Sequence, residues 1–208
     1  MALLGLLADT CTGCRAPGPS PCRGCVARLH PAPPLVAPAP LASLQALVRY
    51  EGPAAQLVVG LKNRHDRSAV PWLASGCALL LPRRVDLVTW APTSRRRAAR
   101  RGYDHAQVLA AAIGAAAGVR VHRTVRRTTA TAQHGRSRGE RLDGPAFTPL
   151  HALDGLVVVV VDDVTATGAT LGAAGGAVLA AGAREVHGVC VAAVPDVRIG
   201  PIGTTSAD

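Results

Sequence analysis

The sequence predicts an α/β fold, a parallel sheet flanked by helices, with a small cysteine-rich module at the N-terminus. Three observations predict it. Residues 157–161 are five consecutive valines, too short a run to span a membrane and too β-branched for a comfortable helix. They read as a strand buried on both faces, as strands of parallel sheets are. Along residues 41–195 apolar helical periods alternate with other short strand-like runs, the order that a parallel sheet requires. Four cysteines crowd into the first 25 residues.

Those cysteines, Cys11, Cys14, Cys22 and Cys25, form two Cys-x2-Cys knuckles separated by seven residues. Paired knuckles put four thiolates around a tetrahedral centre, which suits Zn2+. Disulfides are disfavoured in a reducing compartment, and a redox Cys-x-x-Cys is disfavoured by the duplication. So short a stretch, rich in Pro and Gly, cannot bury a core of its own, so the metal has to supply its folding energy. The seven-residue spacer is short for a nucleic-acid-binding ribbon and favours a structural role. Cys77 and Cys190 lie in apolar runs and read as core thiols. Residues 31–40, PAPPLVAPAP, read as a polyproline-like linker. The expected organisation is a zinc module at 1–30, the linker at 31–40, a main domain at 41–195 that folds independently of the metal, and a tail at 196–208.

Within the main domain, helical patterns occupy residues 41–48, 53–63 and 70–81, and residues 85–90 read as a strand. Residues 104–117 follow as a helix with Val108, Leu109, Ala112, Ile113 and Ala116 on one face. Residues 119–122 read as a short strand. Residues 126–149 have no period and are too long for an idle connector. After the valine strand comes a helix with Leu171, Ala174, Gly175, Val178 and Leu179 on one face, then a strand at 185–194. Ligands of such sheets bind at the carboxyl ends of strands, where Asp162 and Asp163 are expected.

The chemistry is concentrated at that end. Asp162 and Asp163 are followed by small and hydroxyl residues at 164–168, and then the helical pattern begins. A helix start binds phosphate, because its unsatisfied N–H groups and the positive end of the macrodipole point at it. Carboxylates repel phosphate, so the acids suit sugar hydroxyls instead. A phosphate cradle beside a carboxylate pair implies a ribose 5-phosphate ligand. The chain has no GxxxxGK[ST] loop, and no GxGxxG follows a strand candidate.

With 208 residues, 49% of them apolar, the chain can bury an ample core, but aromatics make up only 2%, so Val, Leu and Ala must fill it. The net charge of +10 is carried by 22 arginines and a single lysine. Part of that arginine excess reflects the codon usage of a GC-rich genome. Residues 83–141 still hold 14 arginines against Asp86, Asp104 and Glu140, and so basic a surface attracts polyanions such as pyrophosphate or nucleic acid. A solvated basic face without a dedicated partner is the plainer alternative. Lys62, the one lysine, reads either as a point charge for phosphate or as a helix-end cation satisfied by the dipole. Of the seven histidines, His105 and His134 are the two to watch. The apolar start MALLGLLA lacks a basic flank, and no run is long enough to cross a membrane. The expected location is cytoplasmic, without membrane insertion.

The valines at 158–161, the acids Asp162 and Asp163, and Thr165-Ala166-Thr167-Gly168-Ala169-Thr170 resemble the phosphoribosyl pyrophosphate (PRPP) signature of type I phosphoribosyltransferases. With the cysteine knuckles, Tyr50, Leu61-Lys62, Ala91-Pro92-Thr93, Arg101-Gly102-Tyr103, Gln133, Arg141 and Phe147, the chain resembles the ComF family, phosphoribosyltransferase-like proteins linked to competence for DNA uptake. The resemblance runs from Cys11 to about Val194. It departs from the family pattern at Trp90-Ala91-Pro92 (Pro-Val-Pro), at Tyr103-Asp104-His105 (Phe-Asn-Gln) and at Gly144 (Asn).

The resemblance implies a type I phosphoribosyltransferase-like sheet and a PRPP site. The 5-phosphate would lie on the amides of Thr165, Ala166, Thr167, Gly168, Ala169 and Thr170, the ribose hydroxyls on Asp162 and Asp163, and Mg2+ between hydroxyls and pyrophosphate. It puts a pyrophosphate loop at Ala91, Pro92, Thr93, Ser94 and Arg95, with Lys62 and Arg101 as further phosphate contacts. The implied reaction transfers the phosphoribosyl group to an unknown nitrogenous acceptor and releases pyrophosphate. Residues 126–147 would close as a lid, with Arg136 and Arg141 stabilising the departing charge. The alternative is a non-catalytic PRPP- or nucleotide-binding accessory protein that binds single-stranded DNA, or the uptake machinery, through its arginine-rich face. Sparse aromatics for base stacking argue against it. A zinc-ribbon transcription factor leaves the acid pair unexplained.

Overall fold

The computed structural model describes residues 10–63, 66–128 and 145–195. In chain order the elements are α1 (Arg23–Val26), β1 (Ser43–Arg49), α2 (Gly52–Asn63), α3 (Val70–Ala78), β2 (Leu87–Trp90), α4 (Arg95–Arg101), α5 (His105–Ala117), β3 (Val125–Thr128), β4 (Ala146–Pro149), β5 (Val157–Thr165), α6 (Ala169–Ala180) and β6 (Glu185–Ala193). Strands β1, β6, β5 and β2 lie in that order in one sheet, and every neighbouring pair is parallel. Strands β3 and β4 form a separate antiparallel pair.

The valine run builds the centre of this α/β fold. Alternate residues of a strand face opposite sides of the sheet. Val159 and Val161 enter a cluster with Leu57, Leu61, Leu73, Leu109 and Ile113 from α2, α3 and α5. Val158 and Val160 enter the opposite cluster with Leu171, Ala174 and Val178 from α6. All four valines are fully buried, so β5 is covered on both faces, as its sequence requires. With so few aromatics, helices approach the sheet closely through small residues. A Cβ added at Gly76 of α3 would come within 2.6 Å of the Leu47 side chain on β1.

Several expectations need correction. Residues 41–48 are not helical; most of them form β1, parallel to β6. Residues 119–122 form no strand, and Val121 makes only an isolated bridge to Val88. The patternless segment 126–149 is structured at both ends, where Arg126, Arg127 and Thr128 pair with Thr148, Phe147 and Ala146. Residues 95–101, for which no element was expected, form helix α4, capped by Ser94, whose side chain accepts from the Arg97 backbone N–H. The helix at 70–81 is shorter than expected, closing at Ala78.

The proline-rich stretch does not stand off as a spacer. Pro31 bridges Val48, and Pro38 packs so tightly on the start of α6 that a Cβ at Gly168 would come within 2.7 Å of it. Gly168 also has φ +75°, a left-handed conformation that glycine adopts without strain. The sequence-predicted phosphate loop is thus buttressed from behind by the predicted linker.

Candidate active site at the carboxyl end of the sheet

Strand β5 does not stop at the acids; its pairing with β6 runs on to Thr165. Asp162 and Asp163 therefore sit inside the last turns of a regular strand, and their side chains leave on opposite sides. Asp163 is 4% exposed. Its Oδ1 lies 2.9 Å from Lys62 Nζ, delivered by the last turn of α2, and its Oδ2 lies 2.6 Å from His105 Nε2, delivered by the first residue of α5. Burial acts to raise the Asp163 carboxyl, but the His105 hydrogen bond and the Lys62 charge outweigh it and hold it below the usual carboxylate range. Asp162 is half-buried, and its Oδ1 accepts from the Asp163 backbone N–H at 2.8 Å. Burial, and then the neighbouring Asp163 charge, push its carboxyl up to about 8. One strand thus carries two adjacent acids of opposite character.

Both acids open on a small pocket of about 190 Å³. Lys62, Arg97 and Arg127 bring positive charge to it, and Thr93 and Thr170 bring hydroxyls. Burial, then the nearby Arg97 charge, lower the Arg127 pKa, while Asp162 acts in the opposite direction. A larger groove of about 470 Å³ at the ends of α3 and α5 shares no residue with this pocket and holds neither acid. Asp104 ties the pocket wall together: Oδ1 accepts from Ala106 N–H at 3.1 Å, capping α5, and Oδ2 accepts from Thr93 N–H at 3.0 Å. The ligand atoms of His105, Asp162 and Asp163 lie within 4.8 Å of one another, a spacing that could hold a cation. The Lys62 ammonium already supplies one positive charge there.

The predicted phosphate loop is a tight turn braced by its own hydroxyls. Thr165 Oγ1 accepts from Gly168 N–H at 2.9 Å, and Thr167 Oγ1 accepts from Ala169 N–H at 3.3 Å. Two of the amides expected to serve phosphate therefore already have side-chain partners. Ala166 and Thr167 form the turn, and Ala169 and Thr170 begin α6. Beyond β2, Ala91 and Pro92 are buried, and Ala91 N–H donates to Val161 O. Thr93 reaches the pocket, Ser94 is used as a cap, and Arg95 and Arg101 begin and end α4. Arg136, Arg141, Gln133 and His134 lie outside the described residues.

The four N-terminal cysteines converge. Cys11 and Cys25 sulfurs are 3.6 Å apart, those of Cys14 and Cys22 are 3.7 Å apart, and all four lie within 4.8 Å of one another. A tetrahedron of Zn–S bonds near 2.3 Å has edges of about 3.8 Å, so the donor set fits a zinc ion. Gly13 is confined by the same cluster, since a Cβ there would come within 2.8 Å of Cys25 Sγ. Burial raises the Cys11 thiol, but N–H groups of Cys22, Cys14 and Gly13 overcome it and bring the thiol down to about 6. Burial, then the surrounding thiols, push Cys25 up to about 12. Cys77 and Cys190 are buried core thiols raised by burial, as expected.

Residues 97–201, just over half of the chain, match the model of the phosphoribosyl transferase domain. The chain belongs to that family. Solved structures similar to it include glutamine PRPP amidotransferase from B. subtilis complexed with ADP and GMP, at 22% identity, 60% coverage of this chain, 26% of that chain and a TM-score of 0.42. Purine phosphoribosyltransferase from Pyrococcus horikoshii Ot3 is 22% identical, with 64% and 75% covered and a TM-score of 0.35. Adenine phosphoribosyltransferase from Thermoanaerobacter pseudethanolicus is 20% identical, with 63% and 83% covered and a TM-score of 0.41. The chain spans about a quarter of the amidotransferase and of the allosteric regulatory enzyme of purine biosynthesis. No curated protein matches it in sequence.

The predicted residues Lys62, Ala91, Thr93, Asp162, Asp163 and Thr170 meet around one pocket, the first three from outside the matched residues. Arg97 and Arg127 were visible only as members of charge runs, and nothing in their spacing singles them out. His105 joins Asp163 from 58 positions away in sequence, a partnership that no local pattern announces.

Proposed function

We propose that this domain binds PRPP together with Mg2+ at the carboxyl end of β5, transfers its phosphoribosyl group to a nitrogenous acceptor and releases pyrophosphate. The observation that carries this reading is one pocket lined by the acid pair, by the first turn of α6 and by three cationic side chains. Such a pocket offers a carboxylate for hydroxyls and positive charge for a polyanionic leaving group. As pyrophosphate departs, negative charge builds on its oxygens while the anomeric carbon becomes oxocarbenium-like. Lys62, Arg97 and Arg127, which line the pocket, would stabilise that charge. The hard carboxylate oxygen of Asp162 fits Mg2+ carried in with PRPP, and bound Mg2+ supplies further neutralisation of the pyrophosphate. Arg136 and Arg141 are assigned to the same task from sequence, and the amides of 165–170 to the 5-phosphate.

By the same resemblance, the chain is proposed to be a cytoplasmic ComF-type protein associated with DNA uptake, with residues 1–30 holding a structural zinc ahead of the catalytic domain at 41–195. Exposed Arg96 and Arg100 on α4 also suit a polyanionic partner such as single-stranded DNA.

Calorimetric titration with Mg-PRPP, followed by a screen of pyrophosphate release across purine and pyrimidine bases, ammonia and nucleic acid, tests the proposal. Binding plus release with one acceptor class supports it. Absence of PRPP binding overturns it, and PRPP binding with DNA retention but no release supports the accessory-protein alternative.

A further inference from the structure

The cysteine module and the pocket are both joined to the end of α2. The last four carbonyls of a helix have no partner within it, and two of those in α2 are taken from outside. Gly60 O accepts from the Asp66 N–H at 3.3 Å, and Leu61 O accepts from the Tyr103 hydroxyl. Both carbonyls belong to the turn that carries Lys62, which lines the pocket. The Asp66 side chain faces the module, where its Oδ2 accepts from the hydroxyl of Thr12, between Cys11 and Cys14. Thr12 is held in turn from within the module, its N–H and its Oγ1 each 3.0 Å from Ser20 Oγ. The next residue, Arg67, lays its guanidinium over the Tyr103 ring, 4.8 Å from the centroid. Tyr103 precedes Asp104, the cap of α5 that also holds the Thr93 N–H in the pocket wall. The connection after α2 therefore touches the cysteine module with one residue and the pocket wall with the next.

A module this short holds its shape through the metal, because metal binding supplies its folding energy, and its four sulfurs fit Zn2+. Two arrangements follow. With the metal bound, Thr12 is fixed against the connection and Asp66 keeps its donor. Without it, Thr12 loses its place and the Asp66 carboxylate is short of a partner. The end of α2 then loosens, since helix ends open at little cost. A looser last turn spreads Lys62 over more positions, and the cost of ordering it falls on the ligand. We propose that Zn2+ on the four cysteines and PRPP in the pocket strengthen one another, coupled through the last turn of α2, with Thr12, Asp66 and Tyr103 as positioning residues for Lys62. This rests on the reading of the pocket as a PRPP site. Such a coupling is reciprocal: the factor that the metal adds to ligand affinity is the factor that the ligand adds to metal affinity.

Two measurements on the full chain test the coupling from its two ends. Calorimetry compares Mg-PRPP affinity in zinc-loaded protein, in reduced protein stripped of metal, and in zinc-loaded Thr12→Val. Removing zinc should weaken Mg-PRPP by about fivefold to a hundredfold, and reloading should restore it. Thr12→Val should weaken it in the same direction with zinc still bound. Competition against a chromogenic chelator then measures zinc affinity with and without saturating Mg-PRPP. It should tighten by the same factor in the wild type and stay constant in Lys62→Met. The coupling is overturned if Mg-PRPP binds equally well in both zinc states, or if the ligand leaves zinc affinity unchanged. An undiminished gain in Lys62→Met overturns the route through α2. Should the stripped protein unfold, Thr12→Val decides, and unchanged Mg-PRPP affinity overturns the coupling. Protein that binds Mg-PRPP but no zinc also overturns it and keeps the PRPP reading. Protein that does not bind Mg-PRPP overturns the PRPP reading; inorganic pyrophosphate with Mg2+ then takes its place in both measurements, and the same outcomes decide the coupling. Protein that binds neither overturns both.

Discussion

Thr12, between the first two cysteines of the N-terminal cluster, donates its hydroxyl to Asp66 Oδ2 at 2.5 Å and lies 3.1 Å from Ser68 Oγ. It is 1% exposed. The cysteine module is therefore seated on the connection between α2 and α3, not merely tethered by the prolines. Thr12→Val keeps all four cysteines and removes the donor, leaving the Asp66 carboxylate short of one partner. Loss of a bond of this kind costs about 1–3 kcal/mol, so the melting temperature should fall while zinc content stays constant. Unchanged melting would show that the seat contributes nothing. Chelation should likewise lower the melting temperature without abolishing the α/β fold, because neither buried cluster flanking the sheet contains any of the four cysteines. Collapse of the far-ultraviolet circular dichroism signal on chelation would refute that independence.

Gly13 offers a sharper probe of the cluster itself. A Cβ there would meet Cys25 Sγ at 2.8 Å, closer than real contacts allow, and a Cys25 sulfur that ligates zinc could not shift to make room. Gly13→Ala should weaken zinc binding on the order of tenfold, the lower end of what disturbing the surroundings of metal ligands costs. Competition against a chromogenic chelator measures it. Equal affinity would mean that the four sulfurs do not share one ion.

Much of this was legible in the sequence where local pattern and tertiary environment agree. The five valines must be buried on both faces, and they are. Asp104 precedes a helical period and caps it. Strand β1 misleads because its most buried residues, Leu44 and Val48, are four apart, which matches a helical repeat as well as an edge strand. Only pairing with β6, some 140 residues away in sequence, decides the matter. Strand β3 is hidden for the same reason, since Arg126 and Arg127 have no strand preference to display and are ordered by β4. In the site, the acid pair is written plainly. That Lys62 and His105 would occupy one acid and spare the other depends on where α2 and α5 end, which spacing along the chain does not encode.

The opposite characters of the two acids predict opposite effects on stability. An unfolded aspartate ionises near pH 4, whereas Asp162 in the folded protein is pushed up to about 8. Between those values the native state holds a proton that the unfolded state has lost, so this group makes stability fall as pH rises through that window. Asp163 is depressed, so its contribution is present above the unfolded value and is lost as pH falls below it. At pH 8, Asp162→Asn should therefore raise the melting temperature. Asp163→Asn should lower it, by about 3–5 kcal/mol in stability, because breaking a buried pair strands Lys62 and His105. Thermal melts at pH 5 and pH 8 test both signs. A loss from Asp162→Asn at pH 8 as large as that from Asp163→Asn would show that the two acids share one role.

The same elevated carboxyl makes PRPP affinity depend on pH. A hydroxyl is gripped best by an ionised carboxylate, since charge-assisted bonds are roughly twice as strong as neutral ones. With Asp162 pushed up to about 8 by burial and by Asp163, much of the free protein carries it protonated at pH 7, and binding must expel that proton. Affinity for Mg-PRPP should therefore tighten between pH 7 and pH 9, by at most about tenfold for each pH unit below the Asp162 value. Phosphate groups titrating near pH 6 are already ionised throughout this range, so the ligand does not mimic the trend. Asp162→Asn should flatten the PRPP profile. Calorimetry near pH 7 in buffers of different ionisation enthalpy provides the decisive measurement: wild-type protein should release a proton on binding Mg-PRPP, and the variant should not. A flat profile with no proton release in the wild type would mean that Asp162 is not the residue that grips the ribose.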